Sequence, residues 1–313
     1  MGEKNDDGDD QPSWMANYSL DTPVRFAPQE LQQDGKITLS PGFTPDGRTI
    51  YFGQSECSVI WQCPQKLKRS DLTIDGWSTP RLVPLPQDAR AEAPSVTPDG
   101  KTLFFSWSGK SPLHAGRDRT ENFDLWKLDL TRTDAEPVPV RGPNIPALRA
   151  GKVASLRFVN NETLPTVTTN GNLYFMTERL DGIGERDIYF ARGGPDGTFQ
   201  RAEPLPPPIN SKGRDGGVWV SPDEMIMMLD YPGRGGSGKS DLFISIRSGD
   251  EWLEPVNLGA RINSTARDWS PRLSPDMKTL IFTSDRAFGD QPEGLIQVWS
   301  VRFNIDEYLP QSS

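Results

Sequence analysis

The sequence predicts an all-β fold, a β-propeller of five four-stranded blades, on three observations. One motif recurs five times along the 313 residues. Glycine and proline, 29 residues of each, are frequent enough for many short strands joined by tight turns. The N-terminal segment resembles a strand that the last repeat lacks. Radial repetition of four-stranded units is typical of propellers, in which the two chain ends meet.

Each repeat opens with a predicted β-hairpin. Its turn is Pro-Asp-Gly or a close variant, in which proline fixes φ, aspartate bonds its own backbone and glycine takes the left-handed position. Apolar residues alternate on both sides of the turn. The five copies are SPGFTPDGRTIYF (40–52), APSVTPDGKTLFF (93–105), LPTVTTNGNLYF (164–175), GVWVSPDEMIMM (217–228) and SPRLSPDMKTLIF (270–282).

A third and a fourth strand complete the predicted blade. The third strands are 58–63, 123–130, 186–192, 240–247 and 296–303, and they share an aromatic position: Trp61, Trp126, Tyr189, Phe243 and Trp299. Fourth strands follow at 77–86, 199–210 and 252–263, with a divergent one near 136–140 and none in the fifth repeat. The segment 22–35 has their pattern, so we expect it to close the last blade. A sixth blade at 141–161, where 152–159 has a strand-like pattern, stays open as the alternative.

Composition excludes several classes of function. The chain has 34 basic and 43 acidic residues, and this net charge of −9 argues against a nucleic-acid partner. No apolar run reaches the roughly 18 residues of a membrane span. One histidine and two cysteines cannot make a multi-histidine metal site or a zinc ribbon within one chain. We therefore expect no cofactor, no metal and no membrane span, and any chemistry would rest mainly on carboxylates.

The expected domain organisation is simple. The N-terminus is acidic and almost free of apolar residues, so 1–20 is expected to be a flexible tether. Residues 21–309 form a single propeller domain and 310–313 a tail, and the protein is expected to be a monomer. No signal peptide is recognisable, so the protein is either cytosolic or begins after an export signal that was removed.

The repeat also carries a family resemblance. The S/T-P-D-G hairpin followed by a basic residue, the segment FTSDR (282–286), the DLF and DIY strands, and W-x-x-P followed by I-N-S resemble the TolB-like family of WD-type β-propeller repeats. The resemblance covers about 22–303 and implies an export-linked, periplasmic or extracellular protein that acts by binding. This sequence shows no segment like the N-terminal α/β domain of TolB, so the resemblance does not extend to a role in the Tol system.

The face opposite the Pro-Asp-Gly turns carries the longer, more varied loops, so we expect the functional site there, near the central channel. An acidic column precedes the first strands on this face: Glu162, Asp215 and Asp268, with Glu92 one place later. Arg90, Arg214 and Arg267 stand just ahead of it. Two interpretations stay open. The acids and arginines form structural pairs that fix the blade connections, or the acids form a ring that holds a sugar or a cation such as calcium.

Positions where the repeats differ are the candidates for ligand binding. They are Glu56, Trp107, His114, Trp219, Asp230, Tyr231 and Trp269. Aromatic rings beside carboxylates suit a sugar, although aromatics also fill the gaps between blades. His114 lies in the longest loop, and no nucleophile elbow or triad motif accompanies it, so we expect a loop residue that lines the site rather than a catalytic base.

The sequence supports two functions. The favoured one is a non-catalytic binding module for a glycan or an envelope protein on the loop-rich face. The alternative is a carboxylate-dependent glycoside hydrolase, which needs two acids roughly 5–5.5 Å or 6.5–9.5 Å apart. Its candidate acids are Glu56, Glu92, Glu178, Asp215, Asp230 and Asp268.

The two cysteines are expected to be free thiols. If the five residues between Cys57 and Cys63 are extended, the sulfur atoms lie roughly 20 Å apart, which no disulfide can span. Only a loop that curls back would bring them together.

Overall fold

A computed structural model describes residues 12, 14–18, 20–33, 35–60, 62–86, 89–109, 123–142, 161–179, 181–194 and 197–309. Its strands form five antiparallel sheets, which make a five-bladed β-propeller. The first strands of successive blades contact one another, so they line the central channel. The predicted fold is confirmed, and the segment 152–159 of the alternative sixth blade lies outside the described residues.

The strands follow the repeat. Blade one contains β2 (Ile37–Phe43), β3 (Thr49–Ser55), β4 (Lys66–Thr73), β5 (Gly76–Trp77) and β6 (Arg81–Leu82), and blade two contains β7 (Ala91–Val96), β8 (Thr102–Trp107), β9 (Asp124–Asp129) and β10 (Val138–Pro139). Blade three contains β11 (Thr163–Val167), β12 (Leu173–Thr177), β13 (Asp187–Ala191) and β14 (Glu203–Pro204). Blade four contains β15 (Val218–Val220), β16 (Ile226–Tyr231), β17 (Asp241–Ser248), β18 (Glu251–Trp252) and β19 (Val256–Asn257). Blade five contains β20 (Asp268–Leu273), β21 (Thr279–Ser284) and β22 (Gln297–Arg302).

An N-terminal strand completes the ring. β1 (Val24–Arg25) pairs antiparallel with β22, so that Val24 lies opposite Ser300. The side chain of Gln32 bonds both backbone groups of Val298, accepting from its N–H at 2.7 Å and donating to its carbonyl at 2.9 Å. The chain therefore closes on itself as predicted, and residues 24–32 bond the outer edge of β22 at several points.

The hairpin turns have the predicted chemistry. In blade one the Asp46 carboxylate accepts a bond from the Arg48 N–H at 3.0 Å, and Gly47 takes the left-handed conformation with φ +66°. In blades four and five Glu224 and Met277 hold the same position with φ 61° and 62°. The turn geometry is thus kept where the glycine is lost, at a conformational cost that a side chain normally avoids.

Each first strand except β15 has a β-bulge near its middle. The register shifts between Leu39 and Gly42 in blade one, and at the corresponding place in blades two, three and five. A residue with positive φ marks each bulge: Ser40, Ala93, Leu164 and Ser270. A bulge re-aims the side chains on either side of it, so the two halves of a first strand present different residues to the channel.

The space between the blades is filled by the second strands. Phe52, Phe105, Phe175, Leu229 and Phe282 occupy one repeat position and are at most 1% exposed. Each belongs to a cluster of buried apolar side chains. This periodic core explains why the repeat keeps a large apolar residue there.

A short helix differs from the flexible tether predicted for 1–20. Helix α1 (Trp14–Asn17) packs on blade one, where the Trp14 ring stacks on Phe43 at 4.9 Å and meets the edge of Phe26 at 5.3 Å. The Trp14 indole N–H donates to the Gly47 carbonyl at 2.8 Å. Burial of this large ring anchors the segment to the propeller. A 3₁₀-helix (Ile305–Glu307) follows β22.

The third strand of blade one is not the predicted segment 58–63. The strand that pairs with β3 is β4, which begins at Lys66 and has Lys68 opposite Phe52, at the position predicted for an aromatic residue. Lysine and arginine stand beside Leu67 and Ser70 in this strand. It therefore lacks the run of apolar residues that predicts the third strands of the other blades. Residues 58–60 and 62–63 instead belong to the loop before it.

That loop contains a disulfide, so the expectation of two free thiols is wrong. Cys57 and Cys63 are bonded, with their Cα atoms 5.6 Å apart. The estimate of a long separation assumed an extended chain, whereas the loop curls back. Within the described residues, no helix is long and apolar enough to cross a membrane.

Candidate functional site

The acidic column at the loop-rich end of the channel is held by arginine side chains. Glu162 and Asp268 are fully buried, and each pairs with the arginine that follows the second strand of its own blade. Arg179 reaches Glu162 at 3.1 Å, and Arg286 reaches Asp268 at 2.6 Å. Ser264 donates its N–H and hydroxyl to Asp268 as well. We call these pairs the clips.

The partners in the clips differ from the predicted ones. Arg214 and Arg267, which precede the column, do not pair with its acids but with the acids that follow the second strands. Arg214 bonds Glu178 at 3.1 Å and Arg267 bonds Asp285 at 2.7 Å. In blade five the charges therefore pair crosswise, since Asp268 bonds Arg286 and Arg267 bonds Asp285. Arg214 instead joins the connection before blade four to Glu178 of blade three.

Asp215 belongs to the column but uses other donors. Its carboxylate accepts the Ser211 N–H at 2.7 Å and the Ser211 hydroxyl at 3.0 Å. Desolvation raises the pKa of Asp215, and these bonds with Ser211 oppose the rise. The side chain is 1% exposed, and its bonds with Ser211 stabilise the turn before blade four.

Asp230 joins blades four and five from inside β16. Its carboxylate accepts the Gly217 N–H at 2.9 Å, the Ser270 N–H at 3.0 Å and the Ser240 hydroxyl at 3.4 Å. Gly216 and Gly217 leave the space that this side chain fills, since a Cβ at either would collide with it. Burial raises the pKa of Asp230, and the positive charge of Arg186 opposes the rise.

Glu178 and Glu56 also have partners. Burial raises the pKa of Glu178, while Arg214 and Arg186 oppose the rise. Glu56 follows β3 on the surface, pairs with Lys36, and has Lys68 at 3.7 Å. The hydrogen bond with Lys36 lowers the pKa of Glu56. Five of the six candidate acids thus have partners in the structure.

Two of the candidate aromatics lie in the interior. Trp107 is 5% exposed and meets the edge of Trp126 at 4.6 Å. Tyr231 is fully buried and donates its hydroxyl to the Ile209 carbonyl at 2.8 Å. Both side chains fill the space between blades in this structure.

Glu92 and Trp269 remain accessible at the loop-rich end. They occupy the same repeat position on β7 and β20, and Leu39 holds it on β2 between them. Leu39 and the Cβ of Glu92 both lie 3.4 Å from where a Gly53 side chain would stand. Trp269 packs on the apolar cluster that contains Leu39. We call Glu92, Leu39 and Trp269 the mouth strip.

The two outer residues of the mouth strip differ in charge environment. Burial raises the pKa of Glu92 to about 7, and Arg90 opposes the rise. In the part of the chain that the structure describes, no hydrogen bond or ion pair is formed by its carboxylate. The Arg267 guanidinium lies 5.4 Å above the Trp269 ring, an arrangement that holds the indole in place.

Trp219 lies at the other end of the channel. It lines a cavity of 340 Å³ that all five hairpins surround, together with Ser95, Thr166 and Arg272. It is half-buried, and it packs against the core between blades four and five. The predicted set of ligand residues is therefore divided between the two ends rather than gathered on the loop-rich face.

His114 lies outside the described residues. Among those that are described, no group of three or more histidine, cysteine or acidic side chains is placed to hold a metal ion.

Two further residues were not predicted from the sequence. Arg186 is half-buried beside Asp230, Glu178 and Asp215, and it donates to the Asp215 carbonyl at 2.6 Å. Arg272 stands at the repeat position of Gly42, Ser95, Thr166 and Trp219 and is the one charged residue among the five. The sequence already contains this difference, because the aligned residues of the other four repeats are neutral.

Comparison with known proteins supports the fold. The chain matches no protein-family model and no curated protein sequence. Among solved structures, a family 117 glycoside hydrolase, Zg3597 from the marine bacterium Zobellia galactanivorans, superposes with a TM-score of 0.54 at 12% identity. The superposition covers 89% of this chain and 89% of that one. At this identity the likeness concerns the architecture of the propeller.

TolB-like propellers are also among the structural neighbours. TolB from Acinetobacter baumannii has 16% identity and a TM-score of 0.47 over 85% of this chain, which spans 57% of the TolB chain. A putative TolB from Agrobacterium tumefaciens has 15% identity and a TM-score of 0.47, covering 86% of this chain and 91% of that one.

Proposed function

We propose that this propeller is an exported, non-catalytic binding module for a glycan or a partner protein, and that the mouth strip is part of its site. The observation that supports this is the pairing of a half-buried indole with a half-buried carboxylate around Leu39 at the loop-rich end. A flat ring covers the apolar face of a sugar or a partner's side chain, and a carboxylate accepts from hydroxyls or amides.

The clips favour binding over catalysis. Glu162, Asp215 and Asp268 have the buried, hydrogen-bonded partners expected of structural charges. Hydrolysis of a glycoside needs one acid to give a proton and a second to act as base or nucleophile. An acid whose oxygens are already bonded to an arginine or to backbone and hydroxyl donors is less available as a nucleophile or a base, because those bonds engage its charge and its lone pairs.

A binding experiment tests the proposal. Calorimetric titration with soluble glycans and candidate envelope proteins should find a ligand whose affinity falls about tenfold in Trp269→Ala, since a buried aromatic contact contributes on the order of 1–2 kcal/mol. Trp252→Ala is the matched control, because Trp252 is also half-buried beneath an arginine, Arg247 at 5.6 Å, but on the outer strand of blade four. Equal losses in both variants would contradict a site at the mouth strip.

Export is supported by the disulfide. Cys57 and Cys63 close a short loop, and such bonds persist in oxidising compartments such as the periplasm and the extracellular space. Mass spectrometry of the protein taken from its native compartment should find the two thiols oxidised. Quantitative alkylation of both thiols there would contradict periplasmic or extracellular localisation.

A second candidate is a glycoside hydrolase in which Glu92 is the general acid. The supporting observation is its pKa of about 7, since catalytic acids of this class have raised pKa values. The test is release of reducing ends from a panel of polysaccharides by the wild type and Glu92→Gln. Activity that the substitution abolishes would favour this candidate over the non-catalytic module.

A further inference from the structure

The cavity at the turn end of the channel has a composition of its own. One residue from each blade faces it or leaves room beside it: Gly42, Ser95, Thr166, Trp219 and Arg272. The next residue of each first strand is apolar and forms a collar of Phe43, Val96, Val167, Val220 and Leu273. The cavity therefore has apolar walls and a few polar groups, as is typical of small-molecule sites.

The Arg272 side chain crosses the channel. It extends from blade five past blade one, where a Cβ on Gly42 would stand 3.1 Å from its Nη1 atom. That nitrogen donates to the Pro94 carbonyl of blade two at 3.1 Å. Since Gly42 has no side chain, the guanidinium has space to reach the axis.

This guanidinium lacks a counter-charge in the described structure. Arg272 is 6% exposed, no ion pair joins it to a described carboxylate, and its Nε has no hydrogen-bond partner there. Desolvation lowers the pKa of Arg272 to about 9, which leaves it cationic at pH 7. A buried charge without a partner is costly, so proteins keep one where an anion completes the site.

A second residue that lines the same cavity has a polar atom without a partner among the described residues. The Thr166 hydroxyl is buried, and among the described residues it has no hydrogen-bond partner. Thr166 and Arg272 come from blades three and five, with Trp219 of blade four between them in the ring. Thr166, Arg272 and Trp219 thus line one cavity of 340 Å³.

We propose that this turn-end cavity binds a small organic carboxylate, with the carboxylate on Arg272 and the Thr166 hydroxyl, and its flat or apolar part against Trp219. A guanidinium matches a carboxylate through two parallel hydrogen bonds. The site is separate from the mouth strip, at the opposite end of the channel, and it does not depend on the function proposed there.

Calorimetry with benzoate and its neutral isostere benzamide tests the proposal. Benzoate should bind at least tenfold more tightly than benzamide, and Arg272→Met should lower benzoate affinity on the order of 10- to 100-fold by removing a charge-assisted bond. Arg132→Met, at an exposed arginine paired with Asp134 on blade two, is the control and should leave the affinity unchanged. Absence of benzoate binding, or equal affinity in wild type and Arg272→Met, would overturn the proposal.

Two further variants separate a binding defect from a folding defect. Thr166→Val keeps the volume and removes only the hydroxyl, and it should weaken benzoate several-fold. Thr166→Phe fills the cavity while Arg272 stays in place, and it should abolish binding with an unchanged circular dichroism spectrum. Inorganic sulfate should bind at least tenfold more weakly than benzoate, because it has no flat face for Trp219. Equal affinities would overturn the role of Trp219.

Discussion

Buried charges are compensated at one end of the channel and uncompensated at the other. At the loop-rich end, Asp268 and Glu162 are buried and each has an arginine within 3.1 Å. At the turn end, Arg272 is also buried, but among the described residues its hydrogen bond is to a carbonyl and not to a carboxylate. The repeated charges are compensated and hold blades together, whereas the charge that occurs in one repeat only is left for another molecule. A charged residue that occurs in one repeat only therefore indicates a ligand site when no other residue of the fold compensates its charge.

The largest expected effect comes from breaking a clip. Asp268→Ala removes a fully buried carboxylate and leaves the Arg286 guanidinium, whose side chain is 14% exposed, without it, so the free energy of unfolding should fall by about 3–5 kcal/mol. Urea denaturation followed by circular dichroism measures this. The control is Asp134→Ala, which breaks the exposed pair with Arg132 and should cost less than about 0.5 kcal/mol. Similar losses in both variants would remove the contrast between buried and surface pairs.

The disulfide provides the next effect, also at the loop-rich end. Replacing Cys57 and Cys63 together by serine opens a short loop and should lower the free energy of unfolding by about 2 kcal/mol, because the unfolded chain gains conformational freedom. The wild type in reducing agent should unfold at the same urea concentration as the double variant. A reduced wild type as stable as the oxidised one would contradict this.

Glu92 gives a smaller effect that depends on pH. Its folded pKa is about 7 against an ordinary 4.5, so the folded state holds a proton that the unfolded state has lost between these values. The contribution of neutral Glu92 to the free energy of unfolding is therefore at its full value below pH 4.5, and it is lost as the pH rises to 7. Glu92→Gln should gain about 1 kcal/mol over the wild type at pH 8 and nothing at pH 4, since partial exposure reduces the effect. A difference that is constant with pH would exclude titration of Glu92.

The smallest expected change in stability is at Arg272. Arg272→Met loses one hydrogen bond, worth about 1 kcal/mol, and removes an uncompensated buried charge, which acts in the opposite direction. The free energy of unfolding in the absence of ligand should therefore stay within about 1 kcal/mol of the wild type. A loss as large as that of Asp268→Ala would make Arg272 a structural clip and end the contrast between the two ends.

The sequence predicts the parts of the fold that repeat. The hairpin turns, the five blades and closure by the N-terminal segment follow from turn chemistry and from apolar alternation, which act locally. The third strand of blade one was missed because Lys66 and Lys68 replace the apolar pattern. The disulfide was missed because the curvature of a loop cannot be obtained from its length.

The candidate sites are less accessible to such reasoning. Glu92 and Trp269 were selected from their positions in the repeat, but their nearness through Leu39 depends on how three blades pack. The exchange of partners in the clips depends on side-chain reach, which spacing along the chain does not give. Arg272 was overlooked because its meaning lies in the lack of a partner, and only three-dimensional structure shows this.

Closure by β1 has a consequence for the order in which the molecule is made. Val24 and Arg25 are synthesised before every strand of the five repeats, yet their partners Ser300 and Trp299 lie in β22, the last strand of the ring to emerge. Blades one to four can acquire their internal strand pairs as they appear, because each of their sheets is continuous in sequence. The fifth cannot complete its sheet alone, so the ring remains an open arc until β22 has emerged and β1, the earliest of its strands, pairs with it.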